Sequence, residues 1–246
     1  MTEFEKEVVT RLAANGEDAT LRTDAAAFLR SSIDAKYSYN FFWMGRPIIQ
    51  YPQDIVAMQE IIWSVQPDLI IETGIAHGGS LIFSASMLEL NAACGGPADA
   101  LVLGVDIDIP SHNRAAIERH PMFRRLRMIE GSSIAPDIVG QVRQTAAEHR
   151  RILVCLDSNH THDHVLAELE AYAPLTSVGS YCVVFDTVID HLAKESFHDR
   201  PWYPGNSPGS AVTAYLARHP EFVVDHDIDR KLMFGAAPSG YLRRIR

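Results

Sequence analysis

Two aspartates, Asp157 and Asp186, and one glycine turn, Glu72-Thr73-Gly74-Ile75-Ala76-His77-Gly78-Gly79-Ser80, are the residues of this chain best suited to chemistry. Carboxylate oxygens suit Mg²⁺, which keeps several waters and takes few protein ligands. The plainer role for either aspartate is to cap the helix that follows it, as Asp commonly does. Asp157 stands just before a helix start at Thr161–His164, so both roles are open to it. In the turn, Gly74 and Gly78 let a ligand approach the backbone, and the helix after Ser80 offers unpaired N–H groups. His160, His162 and His164 alternate with Thr161 and Asp163. Two-residue spacing does not bring side chains together on a helix, so they do not read as a zinc triad. His160 lies nearest a strand end and is the candidate general base. His162 and His164 read as solvated or packed histidines on a first helical turn.

Those residues need a scaffold, and the pattern of apolar residues supplies one. Strands are expected at 69–72, 101–105, 126–129, 152–156 and 181–185, and helices at 54–65, 80–90, 114–118, 134–149 and 162–172. Strands that are apolar throughout, separated by amphipathic helices, indicate a mostly parallel sheet covered on both faces, hence a doubly wound α/β fold. The tail differs, with a helix at 210–218 and closing strands at 222–225 and 241–245, antiparallel at the edge. In such sheets ligands bind beyond the carboxyl ends of the strands. The residues found there are Gly74, His77, Gly78 and Ser80, then Asp106, Ser132, Asp157 and Asp186. Asp106 is placed to accept hydrogen bonds from ribose hydroxyls. The G-x-G-x-x-G dinucleotide fingerprint is absent, because Ala76 stands where its middle glycine belongs. A nucleoside with a short zwitterionic tail fits better than a pyrophosphate, and S-adenosylmethionine (SAM) answers that description.

Residues 1–50 read as a helical and aromatic segment ahead of one domain at 51–246, ending in Tyr37-Ser38-Tyr39-Asn40-Phe41-Phe42-Trp43. It is either a cap on the core or a lid over an acceptor. The stretch Trp202–Ser210 is likewise either a substrate-facing loop or a plain connection. A net charge of -9 argues against a nucleic-acid partner. No apolar run is long enough to span a bilayer, and the first residues lack a signal-peptide pattern. Three scattered cysteines make neither a disulfide framework nor a zinc ribbon, and a cytoplasmic location is expected.

From about Tyr39 onward the chain resembles the cephalosporin hydroxylase / rhamnosyl O-methyltransferase family. The resemblance is carried by Ile71-Glu72-Thr73-Gly74, Gly78-Gly79-Ser80, Gly104-Val105-Asp106-Ile107-Asp108, Tyr172-Ala173-Pro174-Leu175, Gly205-Asn206-Ser207-Pro208 and Gly240-Tyr241-Leu242-Arg243-Arg244. Its most specific stretch is Asp157-Ser158-Asn159-His160-Thr161-His162-Asp163-His164-Val165. The resemblance implies a Rossmann-like SAM-dependent methyltransferase fold, a homo-oligomer, and a divalent metal, Mg²⁺, beside the methyl group. It implies Asp157 and Asp186 as metal ligands, and Glu72, Gly74, Ser80, Asp106 and Ser132 as SAM contacts. Phe185-Asp186 departs from the Glu-Asp pair typical of the family, so one acidic ligand is absent. Water or His160 is left to complete the shell, or the metal is held weakly.

The expected activity is methyl transfer from SAM to a sugar hydroxyl, of deoxysugar or rhamnosyl type, in a glycosylated natural product. Asp157 and His160 are the catalytic candidates, and the partner is a small-molecule glycoside. One rival is a cephalosporin C7 hydroxylase or methoxylation enzyme, for which an iron-binding 2-His-1-carboxylate set is needed. The other is a non-catalytic SAM-binding subunit.

Overall fold

Apolar strands and amphipathic helices alternate along the chain as expected, and a computed structural model describes all of residues 1–246. Two helices come first, α1 (Glu3–Glu17) and α2 (Ala19–Asp34), then a hairpin of β1 (Phe41–Trp43) and β2 (Arg46–Ile48). The doubly wound part runs α3 (Pro52–Val65), β3 (Leu69–Thr73), α4 (Gly79–Ala93), β4 (Leu101–Asp106), α5 (Ser111–Glu118) and β5 (Leu126–Glu130). It continues with α6 (Pro136–Ala146), β6 (Ile152–Leu156), α7 (His162–Tyr172) and β7 (Tyr181–Val184). The tail is α8 (Pro208–Leu216), β8 (Phe222–Val224), α9 (His226–Leu232) and β9 (Tyr241–Arg244).

The strands form one seven-stranded sheet in the order β5-β4-β3-β6-β7-β9-β8. Pairing is parallel from β5 to β7, and β9 is antiparallel to both β7 and β8. The antiparallel edge expected from the tail is therefore present. The chain winds outward from β3 through β4 to β5, then returns to lay β6 on the other side of β3. That reversal opens the ligand crevice of an open α/β sheet between the ends of β3 and β6. The register finishes these strands level, with Thr73 opposite both Val105 and Leu156. Gly74 and Asp157 therefore emerge side by side at the switch point.

Both faces of the sheet are covered, which is why its strands read as continuous apolar runs. Ile70, Leu153 and Val183 face a core made with α3 and α4, while Leu69, Val154 and Cys182 face one made with α6, α7 and α8. The N-terminal helices add little to either core. α1 buries no residue, and α2 buries only Ala25, Leu29 and Ser32. Two elements depart from the sequence reading. The aromatic run after Tyr37 ends in the β1–β2 hairpin, turned by Met44 and Gly45 with φ of 45° and 85°, the left-handed pair of a tight hairpin. The other is α9, whose first turn is capped by the Asp225 side chain.

Asp54 ties α3 to the C-terminal segment. It is fully buried and accepts hydrogen bonds from the Ala236 N–H (2.7 Å) and the Tyr241 hydroxyl (2.8 Å). Burial raises its carboxyl from 3.8 to about 6. The folded chain thus holds this proton more tightly than the unfolded one. The resulting stability, about 3 kcal/mol, is complete below about pH 4 and is lost as pH rises through about 6. Denaturation midpoints are expected to fall across that window, and Asp54→Asn is expected to flatten the fall.

Candidate active site

The glycine turn sits where the switch point requires, but its glycines answer to the protein's own backbone. A side chain at Gly74 (φ 90°) would run into the Asp157 carbonyl, and one at Gly79 into the Pro47 carbonyl. Gly78 (φ 80°) begins α4 in the left-handed region and is overlain by Ile117. Close approach is the right physical reason for these glycines, yet the approaching groups are β6, the hairpin and α5. Gly74→Ala combines that collision with a positive φ, and it is expected to destabilise the fold by at least about 2 kcal/mol. Thermal unfolding measures this.

The turn, β2 and Asp157 form a cleft, lined among others by Ile48, Gln50, Gly74, His77 and Ser80. Arg46 holds the rim, donating from Nε to the His77 carbonyl (2.9 Å) and from Nη2 to Asn113 Oδ1 (3.1 Å). Asp106 Oδ2 accepts the Ile75 (2.7 Å) and Ala76 (3.2 Å) N–H groups, so this carboxylate shapes the turn. Its Oδ1 meets only the Asp108 N–H, at 3.4 Å, and is the oxygen available to a ribose. Glu72 is buried beneath the turn and accepts the Ser80 hydroxyl proton, and burial raises its carboxyl to about 7. Ser132 is half-buried just beyond β5.

On the other side of Asp157 lies a group of possible cation donors. One ligand atom each from Asp157, His160 and Asp186 fall within 4.8 Å of one another. Asp186 is in the left-handed conformation (φ 57°), and its Oδ2 lies 3.3 Å from His160 Nδ1. Burial raises the Asp157 carboxyl well above its usual range, and the charges of Asp186, Glu72, Glu168 and Asp54 add to that. Two carboxylates and one imidazole, set among further acids, form a donor set that fits a divalent cation. Phe185 contributes nothing to it, being buried in the core cluster that includes Ile48, Ile75 and Tyr241. The position left without an acid is thus packed apolar, and the third donor beside the two aspartates is His160.

The other histidines diverge. His162 Nδ1 lies 2.8 Å from Ser210 Oγ, and His164 Nε2 lies 3.0 Å from Ser133 Oγ. The loop left open at 202–210 meets the cluster directly, since the Trp202 ring stands edge-to-face on His160 at 4.7 Å. Asn206 fastens this loop by accepting the His162 N–H (3.0 Å) and donating to the Pro201 carbonyl (2.8 Å). Sequence reasoning also missed the Pro47–Gln50 wall of the cleft, for which no local signal exists.

The family model described as rhamnosyl O-methyltransferase/CmcI matches residues 35–245. A rhamnosyl O-methyltransferase from Mycobacterium tuberculosis is 32% identical over 218 residues, covering 85% of this chain and 82% of its own. One from Mycobacterium leprae is 33% identical over 207 residues, covering 82% of each. A CmcI structure solved with Mg and SAM shares the fold, with a TM-score of 0.60 at 17% identity over 85% of this chain and 78% of that one.

Proposed function

The chain belongs to the rhamnosyl O-methyltransferase/CmcI family, and we propose that this SAM-dependent O-methyltransferase acts, with Mg²⁺, on a deoxysugar hydroxyl of rhamnosyl type in a glycosylated natural product. One observation carries the reading: Asp157 belongs to both halves of the site. Its backbone carbonyl abuts Gly74 of the turn, while its carboxylate joins His160 and Asp186. A methyl donor in the cleft and a cation on the carboxylates therefore share one residue.

We assign Glu72, Gly74, His77, Gly78, Ser80, Asp106, Ser132 and Asp157 to SAM, of which Gly74, His77, Ser80 and Asp157 line the cleft, and Asp157 and Asp186 to the metal. When bound, SAM supplies the electrophilic methyl group and Mg²⁺ lowers the pKa of a hydroxyl beside it. The chain's own contribution is orientation and a proton acceptor. His160, whose Nδ1 lies 3.3 Å from Asp186 Oδ2, is the proposed acceptor of the hydroxyl proton. Trp202 fixes the imidazole plane from the side, and alignment of hydroxyl with methyl supplies much of the rate. The helical and aromatic segment 1–50 caps the domain at 51–246, its hairpin forming a wall of the cleft. A cytoplasmic homo-oligomer acting on a small-molecule glycoside, without nucleic acid, completes the proposal. No helix is long and apolar enough to cross a membrane.

An iron oxygenase would need two histidines in one cluster, and His162 is engaged with Ser210 instead. Methyl transfer from labelled SAM to a panel of rhamnosides and other glycosides, with Mg²⁺ and with EDTA, tests the reading. A Mg²⁺-dependent labelled rhamnoside is expected. Labelling of none of the panel sinks the proposed acceptor class, and labelling unaffected by EDTA sinks the metal assignment.

A further inference from the structure

His164, Glu168 and Tyr172 recur every four residues along α7 and so share one face of the helix. Between them and beside them lie Val165 and Leu169, which pack in the core. A polar stripe in the midst of a core face has to be satisfied by something, and here it is satisfied by two loops. Ser158, immediately after Asp157, donates its hydroxyl proton to Glu168 Oε1 at 2.7 Å. Ser133, immediately after Ser132, pairs through Oγ with His164 Nε2 at 3.0 Å, and its carbonyl accepts the Tyr172 hydroxyl. His164 Nε2 also lies 3.4 Å from Ser158 Oγ, which closes the network between the two loops.

Glu168 is an expensive centre for such a network. It has no exposed surface, and its Oε2 has no hydrogen-bond partner. A buried carboxylate with a free oxygen destabilises a fold, and an apolar side chain of similar size would pack there at lower cost. Its position explains why it is tolerated. The loops it joins are the ones that follow β5 and β6, and they carry Ser132 and Asp157 at the carboxyl edge of the sheet.

The geometry points to a cofactor-positioning clamp: Glu168, through Ser158 and His164, sets the separation of the two loops that carry Ser132 and Asp157, both proposed above as SAM contacts. This rests on the reading of the cleft as a SAM site. Glu168 and His164 are positioning residues, and they touch no ligand.

The probe is S-adenosylhomocysteine, titrated by calorimetry against the full chain. Glu168→Met and Ser158→Ala are each expected to weaken its binding about tenfold, while Glu168→Gln, which keeps an acceptor for Ser158, stays within about twofold. The double variant is expected to bind no worse than Ser158→Ala alone, because that change already cuts the Ser158–Glu168 bond. Glu168→Met is expected to unfold at the same temperature as the parent or above it, an outcome that a purely structural role does not give. Should Glu168→Met fail to fold, Ser158→Ala still decides the matter. Unchanged binding in Ser158→Ala overturns the clamp and leaves the SAM reading intact. Absence of binding by the parent chain overturns both.

Discussion

Replacing Asp157 by Ala is expected to lower turnover by at least about 10³-fold while leaving the fold as stable as before, or more so. The activity loss follows from the double membership of this residue. Its carboxylate is one of the two anionic donors of the cation cluster, and removing such a charge-stabilising group from a reaction centre costs about 10²–10³ in rate. Loss of the ordered cation adds to that. The stability claim rests on the direction of its titration. Burial and the surrounding acids hold the Asp157 carboxyl well above its usual range. The stability this group lends is present at acid pH and is lost as pH rises, so its ionised form is a burden on the cation-free fold. Ala removes the burden and the chemistry together, the trade expected of a strained reaction centre. Binding of S-adenosylhomocysteine is expected to survive within about tenfold, because Gly74 meets the Asp157 backbone rather than its side chain. A variant that turns over at a near-parental rate sinks the cation-and-base mechanism.

Much of this arrangement is legible in the sequence because it depends on local pattern. Strands such as Leu69–Thr73 and Ile152–Leu156 are buried on both faces, so they announce themselves as apolar runs whatever they pair with. The winding order then follows from alternation, and Asp106, Asp157 and Asp186 fall at one edge of the sheet. What local pattern cannot carry is direction and distance. Phe185 looks like a missing ligand when read beside Asp186, yet its side chain lies in the core, while the left-handed turn at Asp186 aims the next carboxylate at His160. The three histidines of the Asp157–Val165 run look alike in sequence and reach Asp186, Ser210 and Ser133 respectively. Gly79 is written as a ligand turn and is required by Pro47, more than thirty residues earlier. The stripe of His164, Glu168 and Tyr172 went unread in the sequence, and only the two loops lying on it give it meaning.

Asp186→Asn is expected to lower turnover by roughly 10²–10³-fold at limiting Mg²⁺ with little change in stability. Asp186 sits at φ 57°, a conformation that Asn shares with Asp at low cost, so the backbone is undisturbed and the charge alone is removed. Asp186→Ala makes the contrast, since an alanine held at positive φ costs about 1–2 kcal/mol and unfolds earlier. The charge at Asp186 has two uses that the rate alone does not separate. It is one donor of the cation cluster, and it lies 3.3 Å from His160 Nδ1, where it orients the imidazole. Magnesium concentration separates them. If the cation is the main loss, the Asn variant needs more Mg²⁺ and recovers most of its rate at saturation. If orientation of His160 is the main loss, saturating Mg²⁺ restores little, and the rate resembles that of His160→Gln. General-base removal of that kind costs about 10²–10⁴-fold. An Asn variant with parental rate at limiting Mg²⁺ removes Asp186 from both roles, and the proton acceptor then has to be sought beyond the Asp157–His160–Asp186 cluster.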